Sequence, residues 1–460
     1  VTVALVDIGY GLLAALGLVF SLIACATVMW SYRAWGSLDH RHVHIGQGFQ
    51  KRPREPLGPD AMVPAVALAA EVETSHSFSL LVPARHEERV LAGTLERLAR
   101  LDHPDFEVLA IVGDDDPSTR AVAEEVARRW PDRVRVVIDQ SMPKSKPASL
   151  NTGLAVAAKE LVGVFDAEDE VHTDVLRWVD LVVSETSADV VQAGVQLVTI
   201  RDRWFSTRNC LEYLVWFQSR LSVHTRHGFV PLGGNTVFFR RSMLLEAGGW
   251  DPSCLAEDCE IGIRLSAEGA RVAVATDPAL ATREETPRSV AAFVRQRSRW
   301  NQGYLQVLRS GHWRRLPDRR SRLLAAYTLG FPFFQGAATV LTPLLLGIGA
   351  ITKVPLPLAL WLYAPLLAFG ANTVIDAAAL RELALRFHLS VGWRDTFRVV
   401  WSTVPFLVLL GVASLRAAWR EVRGRTNWEK TLHAGAHREL IGRRRLALNP
   451  GGAGAMQVVP

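Results

Sequence analysis

Three acidic side chains, Asp166, Glu168 and Asp169, follow directly on an apolar run in VFDAEDE, and a second cluster, Asp114 to Asp116, ends FEVLAIVGDDD. Either cluster alone reads as a solvated loop or a helix cap. Carboxylates crowded at a strand end repel one another, however. A hard divalent cation, Mg2+ or Mn2+, relieves that crowding, because it takes oxygen ligands and shares them with phosphates. Two such clusters on one sheet edge point to a nucleotide–metal site. Further on, LAEDCEIGIRL places Glu257 and Asp258 at the start of a helical pattern. Acids there suit the helix dipole. A carboxylate beside a metal-bound pyrophosphate is also placed to take a proton from an attacking hydroxyl. VRQRSRWNQG then sets Arg299 and Trp300 three and four residues after Gln296. On a helix these share one face: an amide, a guanidinium and a flat ring. That face suits a sugar platform or a helix lying on a membrane.

Elements that end in these residues must position them. FSLLVPARHEE, FEVLAIVGDDD, VRVVID and ELVGVFDAEDE are apolar runs that break into polar loops, while RVLAGTLERLARL and TRAVAEEVARRW have helical period. Strands alternating with helices predict an α/β domain with a parallel sheet. In such sheets ligands sit beyond the carboxyl ends of the strands, where the acids fall.

The chain has 460 residues, 49% of them hydrophobic and 21% charged, with a formal charge of +6. That balance predicts a charged soluble part joined to apolar segments. Residues 8–30 carry no charge and are long enough to span a bilayer, with basic residues following on the cytoplasmic side. Leu323–Ile351, Leu356–Ile375 and Val399–Leu415 are further candidate spans, and 379–398 is expected to lie at the interface. Three spans would leave the Arg-rich tail outside, whereas its charge places it in the cytosol. The expectation follows the charge, with a re-entrant segment or an extra crossing within 323–378. Cys25, Cys210, Cys254 and Cys259 form no CxxC pair or zinc spacing and read as reduced thiols. The expected layout is an N-terminal membrane helix (1–32), a partly helical linker (33–77), a cytosolic domain (78–320), membrane and interfacial helices (321–418) and a basic cytosolic tail (419–460). The basic residues sit at membrane flanks and no recognition motif is present, so no nucleic-acid partner is expected and such a binder is disfavoured. An ion-coupled transporter is disfavoured, because the spans carry almost no charge apart from Asp376.

The ordered motifs over about residues 78–303 resemble the family 2 inverting glycosyltransferases, in particular the membrane-bound synthases related to cellulose, chitin and hyaluronan synthases. VPARHEE resembles their opening strand and loop, GDDDPST their uridine-binding acidic turn and KPASLNTGL their Lys-Pro…Leu-Asn element. FDAEDE stands at their metal-binding DxD, PLGGNTVFFRR with GGWD resembles their acceptor-side loop, AEDCEIGIRL carries the Glu-Asp pair, and QRSRW fits QxxRW. NWEKT at 427–431 resembles a short element found after the last membrane helices. The resemblance implies a GT-A type Rossmann-like fold. It assigns the donor to Pro83, Ala84, Glu87, Asp115, Asp116, Lys146, Asn151, Asp166 and Arg299. It assigns the cation to Asp166, Glu168 and Asp169, the base to Asp258 with Glu257, and the acceptor to Gly233, Gly234, Gln296, Arg299 and Trp300. Three departures stand out: DAED in place of a plain DxD, Pro117 where glycine is usual, and GGNT in the acceptor loop. The implied activity is β-glycoside formation from a nucleotide sugar, UDP-linked, in the plasma or inner membrane. A processive polysaccharide synthase, with export partners, leads; the alternative transfers one sugar to a membrane lipid. A catalytically inert sugar-nucleotide-binding subunit is disfavoured by the intact acids at 115, 166 and 258.

Overall fold

The computed structural model describes residues 74–351 and 356–429, with the strand at 43–46, Gly435 and part of 10–29. The described residues within 10–29 are helical; the rest of the expected N-terminal span, most of the 33–77 linker and most of the tail lie outside the described residues. The piece of linker that is described is extended rather than helical: β1 (Val43–Gly46) pairs antiparallel with a sheet edge.

The first half alternates strand and helix as the sequence predicts: β2 (Phe78–Ala84), α1 (Leu91–Ala99), β3 (Phe106–Gly113), α2 (Pro117–Arg129), β4 (Val134–Asp139), α3 (Lys146–Val156) and β5 (Leu161–Val164). β2, β3 and β5 are apolar and buried almost throughout, because helices cover both faces of a parallel sheet. Local chemistry sets the helix starts. Asp116 accepts from the Thr119 amide with Pro117 in the first turn of α2, and Ser145 caps α3 ahead of Pro147. Both fit the preference for a side-chain acceptor followed by proline.

α4 (Val175–Thr186) leads to β6 (Val190–Ala193) and β7 (Val195–Leu197). The chain then leaves the sheet through α5 (Ser206–Val215), a π-helical turn at Trp216–Arg220 and α6 (Leu221–Arg226) before returning as β8 (Val237–Arg240). α7 (Arg241–Glu246), α8 (Glu257–Ala267), β9 (Val272–Ala275) and β10 (Thr282–Glu284) follow. The eight-stranded sheet has the order β1-β9-β6-β8-β5-β2-β3-β4, and β7 pairs with β10 in a second, small sheet. The main sheet is mixed rather than all parallel. β8 runs antiparallel between β5 and β6, because it is reached by a long excursion and not by a β–helix–β crossover.

α9 (Val290–Ser310) carries the QRSRW stretch, and three long helices follow: α10 (Arg319–Ile351), α11 (Leu356–Arg386) and α12 (Trp393–Val422). Arg319–Leu344 and Trp393–Val422 are long and apolar enough to cross a membrane by length and composition. Small residues seat α12 on α10. An added Cβ at Gly411 would fall 2.3 Å from Thr339 Oγ1, and one at Gly336 would fall 3.1 Å from Ser414 Cβ, the close approach that glycine permits. Residues 379–398 do not form an interfacial helix of their own. They end α11, turn and begin α12. Ala379, Leu380, Leu383 and Phe387 join a core with Leu197, Ile200 and Leu211, and Arg201 donates to Asp395 at 2.7 and 3.0 Å. The segment docks the long helices onto the sheet domain.

α9 is locked to both sides. Ser298 Oγ donates to Ala413 O at 3.0 Å, and Asn301 Nδ2 to Ser414 Oγ at 3.0 Å. On its other side Gly303 touches the start of α8: an added Cβ would lie 2.4 Å from both the backbone nitrogen and the Cβ of Ala256. Gly303→Ala should therefore force α8 and α9 apart, at a cost of about 1–3 kcal/mol, the range for overpacking. The measurement is the thermal unfolding midpoint, which is expected to fall.

Candidate active site

The carboxyl ends of β2, β4 and β5, the first turn of α8 and the face of α9 open on one cavity of about 1390 Å³. Pro83, Ala84 and Glu87 line it at the end of β2. Asp115 and Asp116, at the end of β3, do not reach its wall. Asp115 is exposed and pairs with Arg85, which does line the cavity, at 2.5 Å. Asp116 is buried and fully engaged. It accepts from the His86 amide at 2.5 Å, Ser118 Oγ at 3.0 Å and the Thr119 amide at 3.2 Å. Burial alone would raise its pKa, but these donors outweigh burial and bring it to about 2. Asp116 thus shapes the loop that carries Arg85 and Glu87. Asn151 is also spent on structure: its side chain bonds Trp250 N at 2.9 Å and Trp250 O at 2.8 Å.

Lys146 is the hub. It starts α3, and its ammonium donates to Asp166, to Gly234 O at 2.8 Å and lies 4.0 Å from Glu257. Burial works against the charge, yet Asp166 and Glu257 outweigh burial and raise its pKa. Gly234 is needed where it stands: an added Cβ would sit 3.1 Å from Asp258 Oδ2 and 3.4 Å from Lys146 Nζ. Gly233 is pinned by its amide to Gln192 Oε1 at 2.8 Å.

Glu257 and Asp258 both line the cavity. Burial, then the charge of Asp258, pushes Glu257 up to about 7, with Lys146 and Arg299 opposing. Burial likewise raises Asp258, against the Cys259 amide that donates to it at 2.7 Å. Adjacent carboxylates in one dry site cannot both ionise freely.

Asp166 and Glu168 face the cavity, whereas Asp169 turns inward. It accepts from the Asp166 amide at 2.9 Å and from Asn235 Nδ2 at 2.8 Å. Burial raises its pKa well above the usual carboxylate range, and Glu284, Asp166 and Glu168 raise it further. This excess of carboxylate oxygen is a donor set that suits a hard divalent cation. Among the described residues no three His, Cys, Asp or Glu side chains form a ready metal cage. The remaining ligands would then be phosphate oxygens and water, as is usual for Mg2+.

Gln296, Arg299 and Trp300 line the opposite wall from α9. Trp300 has Arg297 4.7 Å from its ring centre and the tilted ring of Tyr213 6.4 Å away. Arg297 in turn donates to Asn209 and Glu212, each at 2.6 Å. Arg299 lies 4.3 Å from the Trp428 ring centre, so the NWEKT element reaches the site. Glu429 holds it there by bonds from Arg416 (2.7 and 2.8 Å) and Arg420 (2.6 Å).

Sequence reasoning overlooked Asp139, Tyr213, Arg297 and the reach of Trp428. Asp139 ends VRVVID and lines the cavity, where it accepts from Ser149 Oγ at 2.7 Å and Thr152 Oγ1 at 2.8 Å. The strand-end rule applied elsewhere would have found it. Arg297 sits inside QRSRW itself. The Trp428 contact spans a chain distance that no local pattern signals.

Residues 76–303 match the family described as glycosyltransferase like family 2. The chain is 27% identical over 242 residues to a beta-monoglucosyldiacylglycerol synthase of Nostoc sp., covering 51% of each chain. It is 26% identical over 240 residues to glucomannan 4-beta-mannosyltransferase 2 of Arabidopsis thaliana, covering 50% of this chain and 44% of the relative. The chain thus spans about half the length of the curated relatives it matches. Among solved structures it is similar in fold to the mannosyltransferase PcManGT from Pyrobaculum calidifontis in complex with GDP-Man and Mn2+. That likeness has a TM-score of 0.51 at 16% identity and covers 90% of this chain and 99% of the other.

Lys146→Met removes the one ammonium shared by Asp166 and Glu257. Breaking a mostly buried pair in this way costs about 3–5 kcal/mol. A lowered unfolding midpoint, partly restored at acid pH where the stranded carboxylates take protons, is the expected result.

Proposed function

Because residues 76–303 form a glycosyltransferase family 2 domain, we propose that this chain transfers a single sugar from a nucleotide sugar, UDP-linked, to the hydroxyl of a membrane lipid. One observation carries the reading. The cavity that holds Lys146, Asp166 and Asp258 continues without a break between the long helices, where Phe331, Phe334, Ile375, Phe406, Leu407 and Leu410 line it. A hydrocarbon chain there gains about 25 cal/mol for each Å² removed from water. The diacylglycerol-glycosylating relative supports the same reading. The QxxRW stretch and the glucomannan relative favour a polymer-extending enzyme, and product size separates the two.

In this scheme Asp258 takes the proton of the acceptor hydroxyl as its oxygen attacks the anomeric carbon. The bond from that carbon to the diphosphate oxygen breaks on the opposite face, so an α-linked donor gives a β-glycoside. Lys146 and Arg299 offset the charge that gathers on the departing diphosphate, an electrostatic contribution of the kind that is often largest. Asp166 and Glu168 would hold Mg2+ or Mn2+, which when bound adds positive charge at the diphosphate. Gln296 and Trp300 present an amide and a ring face to the acceptor side, next to Gly233 and Gly234. Asp115 acts through Arg85 at the nucleoside end. The sheet domain lies on the cytosolic side of the plasma or inner membrane, with the long helices as its membrane part.

Two outcomes test the scheme. Asp258→Asn should lower turnover by about 10²–10⁴-fold, the usual size of a general base effect, while UDP binding persists. Purified protein given separate radiolabelled UDP-sugars and GDP-mannose, with Mg2+ or Mn2+ and lipid, should yield small, lipid-extractable product; high-mass product would establish the polymer reading instead. The rate should also depend on pH in a defined sense. The raised carboxylate pKa at Glu257 and Asp258 means that the pair keeps a proton to higher pH than free carboxylates do. The base is lost as pH falls through its raised pKa, so kcat should drop about tenfold per unit below a break that lies above the ordinary carboxylate range and level off above it. Glu257→Gln, which removes the neighbouring charge, should move that break to lower pH.

A further inference from the structure

The cavity holds several guanidinium groups, and their partners differ. Arg208 is paired with Asp376 at 2.8 Å and also donates to Val399 O. Arg297 is paired with Glu212 at 2.6 Å. Arg299 faces Glu257, Asp258 and Asp166, at the donor end. Arg220 lines the same cavity but donates no hydrogen bond to a described residue and pairs with no described acid. Its Nε is buried without a partner, and its closest ring is Trp216, with 5.7 Å to the centroid. The groups that bear on it electrostatically are Tyr327, Tyr304 and Glu212, and the carboxylate of Glu212 is already taken by Arg297.

A cation half-buried in a cavity wall, with its Nε shut off from water and no counter-ion among the described residues, is costly to hold. Here it is held by an unusual backbone. Arg220 closes the π-helical turn Trp216–Arg220 inserted between α5 and α6, a distortion that recurs at functional sites. Around it stand Tyr304 of α9 and Thr328 of α10, both on the cavity wall. Tyr304 is within electrostatic reach of both Asp258 and Arg220, and all three line the same cavity.

Arg220 is thus the guanidinium of this cavity left without an acid among the described residues. The donor diphosphate accounts for Arg299. We propose that Arg220 binds the phosphate of an anionic lipid acceptor, whose free hydroxyl then lies at Asp258. This rests on the lipid-acceptor reading and narrows it from neutral to phosphate-bearing headgroups. A guanidinium recognises phosphate through paired, charge-assisted hydrogen bonds, and Trp216 and the tyrosines shield that contact from water.

The test is equilibrium binding to the purified full chain in neutral-detergent micelles, without donor. Dioctanoyl phosphatidylglycerol and dioctanoylglycerol share their tails and differ in the phosphate-linked glycerol. The first should bind about tenfold tighter or more. Arg220→Gln should bring it down to the level of the second, Arg220→Lys should keep most of the preference, and UDP affinity should stay unchanged in both variants. Matching unfolding midpoints would show that both variants fold. Equal binding of the two lipids by the wild-type chain overturns the proposal and leaves the lipid-acceptor reading standing. Binding of neither lipid overturns both. Loss of UDP affinity in Arg220→Gln reassigns the cation to the donor and also overturns it. Displacement of the phospholipid by millimolar inorganic phosphate would mean that free phosphate is the ligand, which overturns the lipid assignment.

Discussion

The ammonium of Lys146 is the point through which the rest of the site is held. It is bound by Asp166 from the end of β5, by the carbonyl of Gly234 ahead of β8, and at longer range by Glu257 from α8. Those three segments come from different parts of the fold. Without the charge, Asp166 and Glu257 would face one another across a partly enclosed cavity, where like charges repel more than they do in bulk solvent. With it, the same acids are held in one defined cluster. The position of the lysine depends in turn on Ser145 and Pro147, which start α3 where the ammonium can reach.

α9 is the second constraint, and it acts on the cavity wall that carries Gln296, Arg299 and Trp300. One face of this helix presents Gln296, Arg299 and Trp300 to the cavity, and another hydrogen-bonds α12 through Ser298 and Asn301. Gly303 brings it against the first turn of α8. The cavity-lining acids and the long helices are thus mechanically continuous, and one cavity is lined by both.

Much of this was legible in local patterns. Apolar runs ending in acids placed β2 to β5 and the Asp166 and Glu168 end of the cavity, because a buried parallel strand and a strand-end site both write themselves into short stretches. The Glu257–Asp258 pair and the α9 face were legible for the same reason. What was not legible depends on pairing across distance. The antiparallel β8, the docking of 379–398 against Leu197 and Leu211, the structural employment of Asp116 and Asn151, and the arrival of Trp428 over Arg299 are all decided by contacts between remote segments. The acidic triplet at 114–116 shows the limit well: residue type and spacing were those of a ligand site, yet one member caps a helix and another sits outside the cavity wall.

The contact between Arg299 and Trp428 has a consequence for biogenesis. The ring arrives from beyond α12 and is held by Glu429 against Arg416 and Arg420 on that helix. Translation therefore delivers the sheet domain, α9 and α10 to α12 before the residue that covers Arg299 exists. Until that stretch has been made and has folded back, Arg299 is uncovered. Completion of the wall is thereby timed to follow completion of α10, α11 and α12, and a nascent chain halted before residue 428 would lack the ring over Arg299.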